Sequence, residues 1–303
     1  MNNRIELTAD IYATKTNNLL VNRVLPKITG YSSIMTNIGQ VKNKGVELTV
    51  TSRNFNTPNF SWKSTFTYSM NRNEITRLFG DVSEYVLEGQ THVGEIPDYT
   101  NKWFPGHAID EIWDYDIIGV WQVGEEEEAA KYGLKPGDYK VQDLDGNGKY
   151  EALQDKTFIG HKNPRHRLGL INEFTIFKNI NVFLFLRSDL GHKMPFNQSV
   201  ASWSMFDRQN TQDYPYWTFE NQSNEWPRLN NNLTPFGGGI TPYKSASFLR
   251  LQDLSISYNF SDISKYIPTI DRISVFVSGR NLLTFSKWPG YDPENSDNTP
   301  MYR

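Results

Sequence analysis

Cysteine is missing from all 303 residues. Its absence excludes disulfide staples, thiolate metal centres and cysteine nucleophiles, and it leaves the redox compartment open. No apolar run approaches the roughly 20 residues that a membrane-crossing helix needs. Helical membrane proteins are thereby removed, but barrels are not, because their strands hide in alternating polar sequence. Positive charge is not in excess: 31 Lys and Arg face 34 Asp and Glu, a net charge of -3, so nothing points to a nucleic-acid partner. The chain opens Met1-Asn-Asn-Arg4 with neither a basic nor an apolar leader region. That predicts no signal peptide and, taken alone, a cytoplasmic or truncated protein. His92, His107, His161, His166 and His192 are scattered, with no H-E-x-x-H spacing, and no G-x-S-x-G, Walker or dinucleotide motif occurs. No carboxylate pair stands out as a glycosidase couple, and Glu125–Glu128 reads as a solvated charge run. The reading is therefore not an enzyme.

What the chain has in quantity is period-two alternation. In Lys44–Asn71, Val46, Leu48 and Val50 alternate with Glu47, Thr49 and Thr51. After an Asn/Pro break, Trp62, Phe66, Tyr68 and Met70 alternate with Lys63, Thr65, Thr67 and Ser69. Each arm is a strand with one apolar and one polar face, and the pair is a hairpin. About ten residues per arm suffice for a tilted strand to cross a bilayer. Ile5–Thr14 repeats the pattern, with Ile5, Leu7, Ala9, Ile11 and Ala13 on one face. His166–Phe177 and Ile180–Leu190 form a second hairpin across Lys178-Asn179, and Ser247–Phe260 and Arg272–Leu283 are the last two strands.

Residues 15–43 read as a polar loop, Phe104–Trp121 as a strand, and Glu125–Gly133 as a short helix. The connections fall into short ones (54–59, 178–179, 261–271) and long ones (15–43, 122–164, 191–246). That asymmetry belongs to outer-membrane barrels, whose periplasmic turns are short and extracellular loops long. Counting crossings with a wall strand at 104–121 breaks the up-down parity, which predicts one extra strand inside 72–103. A β-sandwich whose apolar faces meet each other fits the same periodicity. Trp62, Tyr68 and Tyr258 near strand ends suit an interfacial aromatic girdle, although sandwiches carry such residues too.

Two constellations have chemistry. Asp143-Leu-Asp-Gly-Asn-Gly-Lys-Tyr-Glu151 opens like a Ca²⁺ loop, with Asp143, Asp145 and Asn147 offering side-chain oxygens, Lys149 its carbonyl, and Glu151 a further ligand. The EF-hand template wants Glu at its twelfth position, where Gln154 stands, with Asp155 one residue late. The alternative is a side-chain-stabilised Asx/Gly turn. Trp203, Tyr214, Tyr216, Trp217 and Trp226 cluster in the irregular segment 191–246. They read as a platform for a sugar ring or a partner protein, or as a loop packing on its own side chains.

Several stretches together resemble the C-terminal part of the SusC/RagA family of TonB-dependent outer-membrane receptors of Bacteroidetes. They are Asn3–Tyr12 with Lys15–Leu20, Asn37–Leu48, Lys135–Asp138 through Asp143–Gly148 to Phe158–Gly160, Tyr216–Asn221, Trp226–Leu229, Phe248–Tyr258 and Ser278–Leu283. The resemblance spans nearly the whole chain. It implies an all-β fold, an antiparallel transmembrane segment of a 22-stranded barrel with long extracellular loops. Residues 1–303 would be one barrel piece, with the plug domain, early strands and last strand absent. It further implies import of glycan oligomers or peptides across the outer membrane, with a SusD-like surface lipoprotein, TonB and outer-membrane lipid as partners. No cofactor is required, and Ca²⁺ is the candidate ion. The alternative function is a secreted β-rich carbohydrate-binding or adhesion module. A glycoside hydrolase is a third class.

Overall fold

The computed structural model describes residues 4–200 and 214–295, apart from 25–27, 29, 32, 238, 261, 262, 266, 268 and 271. Seven long strands make one antiparallel wall: β1 (Ile5–Val24), β2 (Ser33–Asn56), β3 (Phe60–Arg77), β4 (His166–Ile176), β5 (Ile180–Leu190), β6 (Phe248–Phe260) and β7 (Ile273–Ser286). They lie side by side in chain order, each hydrogen-bonded to the next. The wall is open, with β1 and β7 as its edges.

Register sorts the side chains. Leu7, Val50, Phe66, Leu170, Leu186, Leu251 and Leu283 form one continuous row across all seven strands. Trp62, Phe174, Val182, Ile256 and Val277 form another nearer the short turns. Successive residues point to opposite faces, so these rows share one mainly apolar face, interrupted between them by Ser52, Ser64 and Asn172, where Ser64 and the Trp62 indole donate to Asn172 Oδ1. Register shifts between Leu251 and Asp253, with Asn281 in the left-handed region (φ 52°), keep both Leu251 and Leu254 on that face. The other face carries Thr49, Thr67, Arg187 and Arg250 in one row and Glu47, Ser69, Arg167 and Asp189 in the next. The apolar face has no second sheet over it among the described residues: Ile11 is 82% exposed and Val277 76%. This separates the wall from a sandwich, in which such residues would be covered.

The short turns share one end. Phe177 and Lys178, both left-handed (φ 48° and 66°), close the β4–β5 hairpin, a backbone twist that suits two-residue hairpin turns. At this end Trp62 stacks between Phe55 and Phe174, with ring centroids 6.0 and 5.7 Å away.

Three sequence expectations change. Residues 15–43 are largely strand: β1 runs to Val24 and β2 starts at Ser33, paired through two irregularities near Thr16–Leu20. In this extension only isolated positions are buried, such as Val41 against Ile75 and Leu78, so no continuous apolar face is needed and the sequence loses alternation. Phe104–Trp121 contributes no wall strand. Its strands Glu111–Tyr115 and Ile117–Val120 pair instead with Lys156–His161 and Tyr139–Val141 in the loops. The extra strand expected inside 72–103 is a separate hairpin, Val82–Leu87 with Gln90–Glu95, also outside the wall. β3 therefore pairs directly with β4, and the parity closes without either. The short helix is present at Glu126–Lys131.

Candidate functional site

The long connections 78–165 and 191–247 fold together at the end opposite the short turns. Their apolar residues are buried in a shared core: Tyr115, Val120, Trp121, Ala129, Leu134, Tyr139, Val141 and Tyr150 from the first, Trp217, Phe236 and Ile240 from the second. Burial pushes the Tyr115 phenol up to about 12, with Asp155 and Asp114 adding to the shift. A clasp ties the two loops. Asp138 is fully buried and accepts hydrogen bonds from Arg228 Nε (2.9 Å) and the Asn232 N–H (2.8 Å), with Arg228 Nη2 also 2.8 Å away. Gly137 adopts φ +89°, and a Cβ there would lie 2.6 Å from the Trp217 ring and 2.9 Å from Arg228. Only glycine permits that approach.

The acidic loop lies beside this core. Oxygens of Asp143, Asp145 and Asp155 come within 4.8 Å of one another. Asp155 is fully buried and accepts from the N–H groups of Leu144 (2.9 Å) and Glu151 (2.7 Å). Burial raises its carboxyl pKa, and Asp143 and Asp145 raise it further. For Asp143, burial pulls upward, but hydrogen bonds from the Gly148 N–H, the Tyr132 hydroxyl and the Gly146 N–H outweigh it and hold the carboxyl below its ordinary value. Burial and that same carboxylate lift the Tyr132 phenol to about 12. Asn147 is turned inward on the loop: its Oδ1 accepts from the Lys149 N–H (2.8 Å) and its Nδ2 donates to Asp145 and Glu151. The residue one place late in the sequence, Asp155, thus joins Asp143 and Asp145, because the one-turn helix Ala152–Asp155 folds it back beneath the loop. Among the described residues no cation makes an ion pair with these three carboxylates, so they have the charge and spacing for a hard divalent ion.

The aromatic group is divided. Trp217 is buried in the shared core and donates from Nε1 to Gln122 Oε1 at 3.1 Å. Tyr214 and Trp226 are buried with Phe196, Ala246 and Trp288. Tyr216 is the exposed member, with Phe219 exposed near it, and Trp203 lies outside the described residues. Three of the five are thus packed inside the loop bundle.

Sequence reasoning passed over a charge cluster on the polar face of the wall. Arg250, fully buried, grips Asp292 with Nη2 (2.9 Å to both oxygens) and Glu294 with Nη1 (2.5 Å). Arg187 joins it through Glu294 (2.7 Å) and Asp189 (2.8 Å). The segment after β7 is thereby strapped across the polar side of β5 and β6. An arginine on the polar face of an alternating strand was the available signal.

No protein-family model matches the chain. A TonB-dependent receptor of Formosa agariphila is 30% identical over 96% of the chain, and the TonB-dependent receptor SusC of Bacteroides thetaiotaomicron 27% over 97%. The chain spans about three tenths of these relatives' length, 29% and 28%. Among solved structures, the RagAB peptide transporter superposes with a TM-score of 0.65, and its importer in the open-open state with 0.67. Both are 22% identical and cover 97% of this chain but 31% and 30% of theirs. That likeness shows a common fold.

Proposed function

We propose that this chain, which is similar to TonB-dependent receptors of the SusC/RagA type along nearly its whole length, is wall and outer loops of an outer-membrane importer. On this reading residues 1–303 are the C-terminal part of the receptor barrel. The observation that carries the reading is the two-faced wall. One apolar row runs across all seven strands and another across five, with nothing packed on them among the described residues, while charged and hydroxyl side chains line the other face. Acyl chains cover the first face and a water-filled lumen the second.

The short-turn end faces the periplasm and the loop bundle faces outward. There the bundle meets cargo and a SusD-like surface lipoprotein, with TonB driving uptake from the other side. The cargo class is a glycan oligomer or a peptide, and exposed Tyr216 is the aromatic placed to touch cargo or lid. The acidic loop holds Ca²⁺ through Asp143, Asp145 and Asp155, with Asn147, Lys149 and Glu151 in support, and stiffens the bundle without taking part in chemistry. Relatives bear the names of receptors, not enzymes, and a sugar-release assay is expected to stay blank.

The test is fractionation of the protein as its host makes it. It should sediment with outer membranes and leave them only in detergent. Release by salt or carbonate alone would replace this reading with the secreted carbohydrate-binding module.

A further inference from the structure

The apolar face of the wall ends abruptly toward the loop bundle. Above the row Ile11–Val46–Met70, the next residues on the same face of β1, β2 and β3 are Ala13, Lys44 and Arg72, followed by Lys15, Lys42 and Glu74. Lys44 stands directly opposite Arg72, and Lys15 directly opposite Lys42. Like charges set directly across a ladder repel, so two such pairs in adjacent rows are an unfavourable arrangement unless something neutralises them. Glu74 is one acid against four cations. Among the described residues none of the four makes a salt bridge. Arg72 bonds the Asn71 and Arg165 carbonyls (3.0 and 2.6 Å) and lies 3.3 Å from His166 Nε2, whose ring partners the Tyr68 hydroxyl through Nδ1 (2.8 Å). Arg72 is thus held in place by two backbone carbonyls and an imidazole, with no carboxylate among them, and Lys15, Lys42 and Lys44 are exposed beside it.

Height identifies the ligand. From Trp62 of the aromatic end to Arg72 is about ten residue steps. That is about 34 Å of strand, or about 26 Å along the membrane normal at a 40° tilt. The outward apolar band of such barrels is about 25 Å tall. The cations therefore stand at the headgroup level of the outer leaflet.

We propose that Lys15, Lys42, Lys44 and Arg72 form a docking site on the outside of the wall for the phosphate groups of an outer-leaflet glycolipid. The proposal rests on the membrane-wall reading. The anion completes what the fold leaves open: it neutralises both cation pairs, and the glycolipid's acyl chains lie along Val46, Leu48, Met70 and Tyr68 below.

The experiment uses the protein extracted from its native outer membrane in mild detergent, with bound phosphorylated glycolipid quantified per barrel by mass spectrometry. Lys15→Gln, Lys42→Gln, Lys44→Gln and Arg72→Gln are combined in one variant. A control variant carries Arg53→Gln and Lys63→Gln, which lie on the polar face. Each cation removed should lower affinity on the order of five-fold, so the first variant should lose nearly all of its glycolipid and the control none. Add-back should succeed with phosphorylated glycolipid and fail with the same lipid after phosphatase treatment.

Equal retention by the four-site variant, equal loss by the control, or equal binding of dephosphorylated lipid would each overturn the proposal. So would displacement by inorganic phosphate alone, which would mark a free-anion site. Failure of the underlying reading looks different: the unaltered protein would be absent from the outer-membrane fraction and would show no heat-modifiable barrel band.

Discussion

The wall and the loop bundle solve opposite problems with the same residue types. In the wall, large apolar side chains remain exposed on one face, and strands are joined mainly by the backbone ladder, with side-chain bonds such as Lys63–Glu173 and Tyr68–His166 across it. In the bundle, tyrosines and tryptophans turn inward around Ala129, and buried ions such as Asp138 lock one loop to the other. On the proposed membrane reading the wall derives its stability from its surroundings, because only lipid would cover its apolar face. The bundle carries its own core and should hold its shape in water. A substitution that wrecks one region should spare the other.

Arg228→Ala should give the largest effect. It leaves Asp138, fully buried, with backbone donors but no counter-charge, and breaking such a pair costs about 3–5 kcal/mol. Hydrogen exchange should rise across 115–141 and 214–240, while the heat-modifiable mobility of the barrel stays unchanged. Next is Leu170→Arg, which puts a charge in the middle of the apolar row. At the bilayer midplane this costs about 2–4 kcal/mol and should cut the folded barrel band. Thr67→Arg, on the polar face one strand away, should leave that band intact. If both behave alike, the two-faced reading of the wall is wrong.

These contrasts also explain what the sequence displayed. Alternation in Phe60–Met70 and His166–Ile176 was visible because the large apolar residues of these strands are confined to one face of the wall. Where β1 and β2 rise past Thr14 and Asn43, burial falls on isolated residues such as Val41 and not on every second one, so the period vanishes and strand looked like loop. Ile112, Trp113 and Tyr115 looked like a wall strand because their strand is buried on both sides in the bundle. The ligand-like spacing of Asp143 and Asp145 was legible. The inward placement of Asp155 depended on a one-turn helix that no local pattern announces. The buried Trp217 and Trp226 could not be told from exposed Tyr216, since irregular loops have no period from which to read a face.

Calcium sharpens the comparison, because only the bundle should respond to it. Without a cation, the raised Asp155 carboxyl contributes stability below the ordinary carboxylate range, lost as pH rises through its folded value. Asp143, held low, contributes stability above that range, lost as pH falls through its lowered value. A bound ion needs all three ionised, so its protection should fade as pH drops through the raised pKa of Asp155. At neutral pH and a hundredfold excess over Kd, Ca²⁺ should stabilise the bundle by about 2.7 kcal/mol. Asp145→Ala, at the exposed carboxylate of the proposed site, should abolish most of this with little effect in chelator. Calorimetry and thermal unfolding with Ca²⁺ or chelator at pH 5 and 7.5 check both signs.

The smallest effect belongs to the polar face of the wall. Lys63 Nζ meets Glu173 Oε2 at 2.8 Å across β3 and β4, with each side chain close to half exposed. In a water-filled lumen such a pair is screened and contributes at most about 0.2–1 kcal/mol. Lys63→Ala should therefore leave the barrel's unfolding midpoint in denaturant almost unmoved, and high salt should erase any difference. A closed, dry interior would make the same change expensive, since Glu173 would then lose its partner away from solvent. A large, salt-insensitive loss of stability from Lys63→Ala would mean that the polar face is not wetted and that the assignment of the two faces must be reversed.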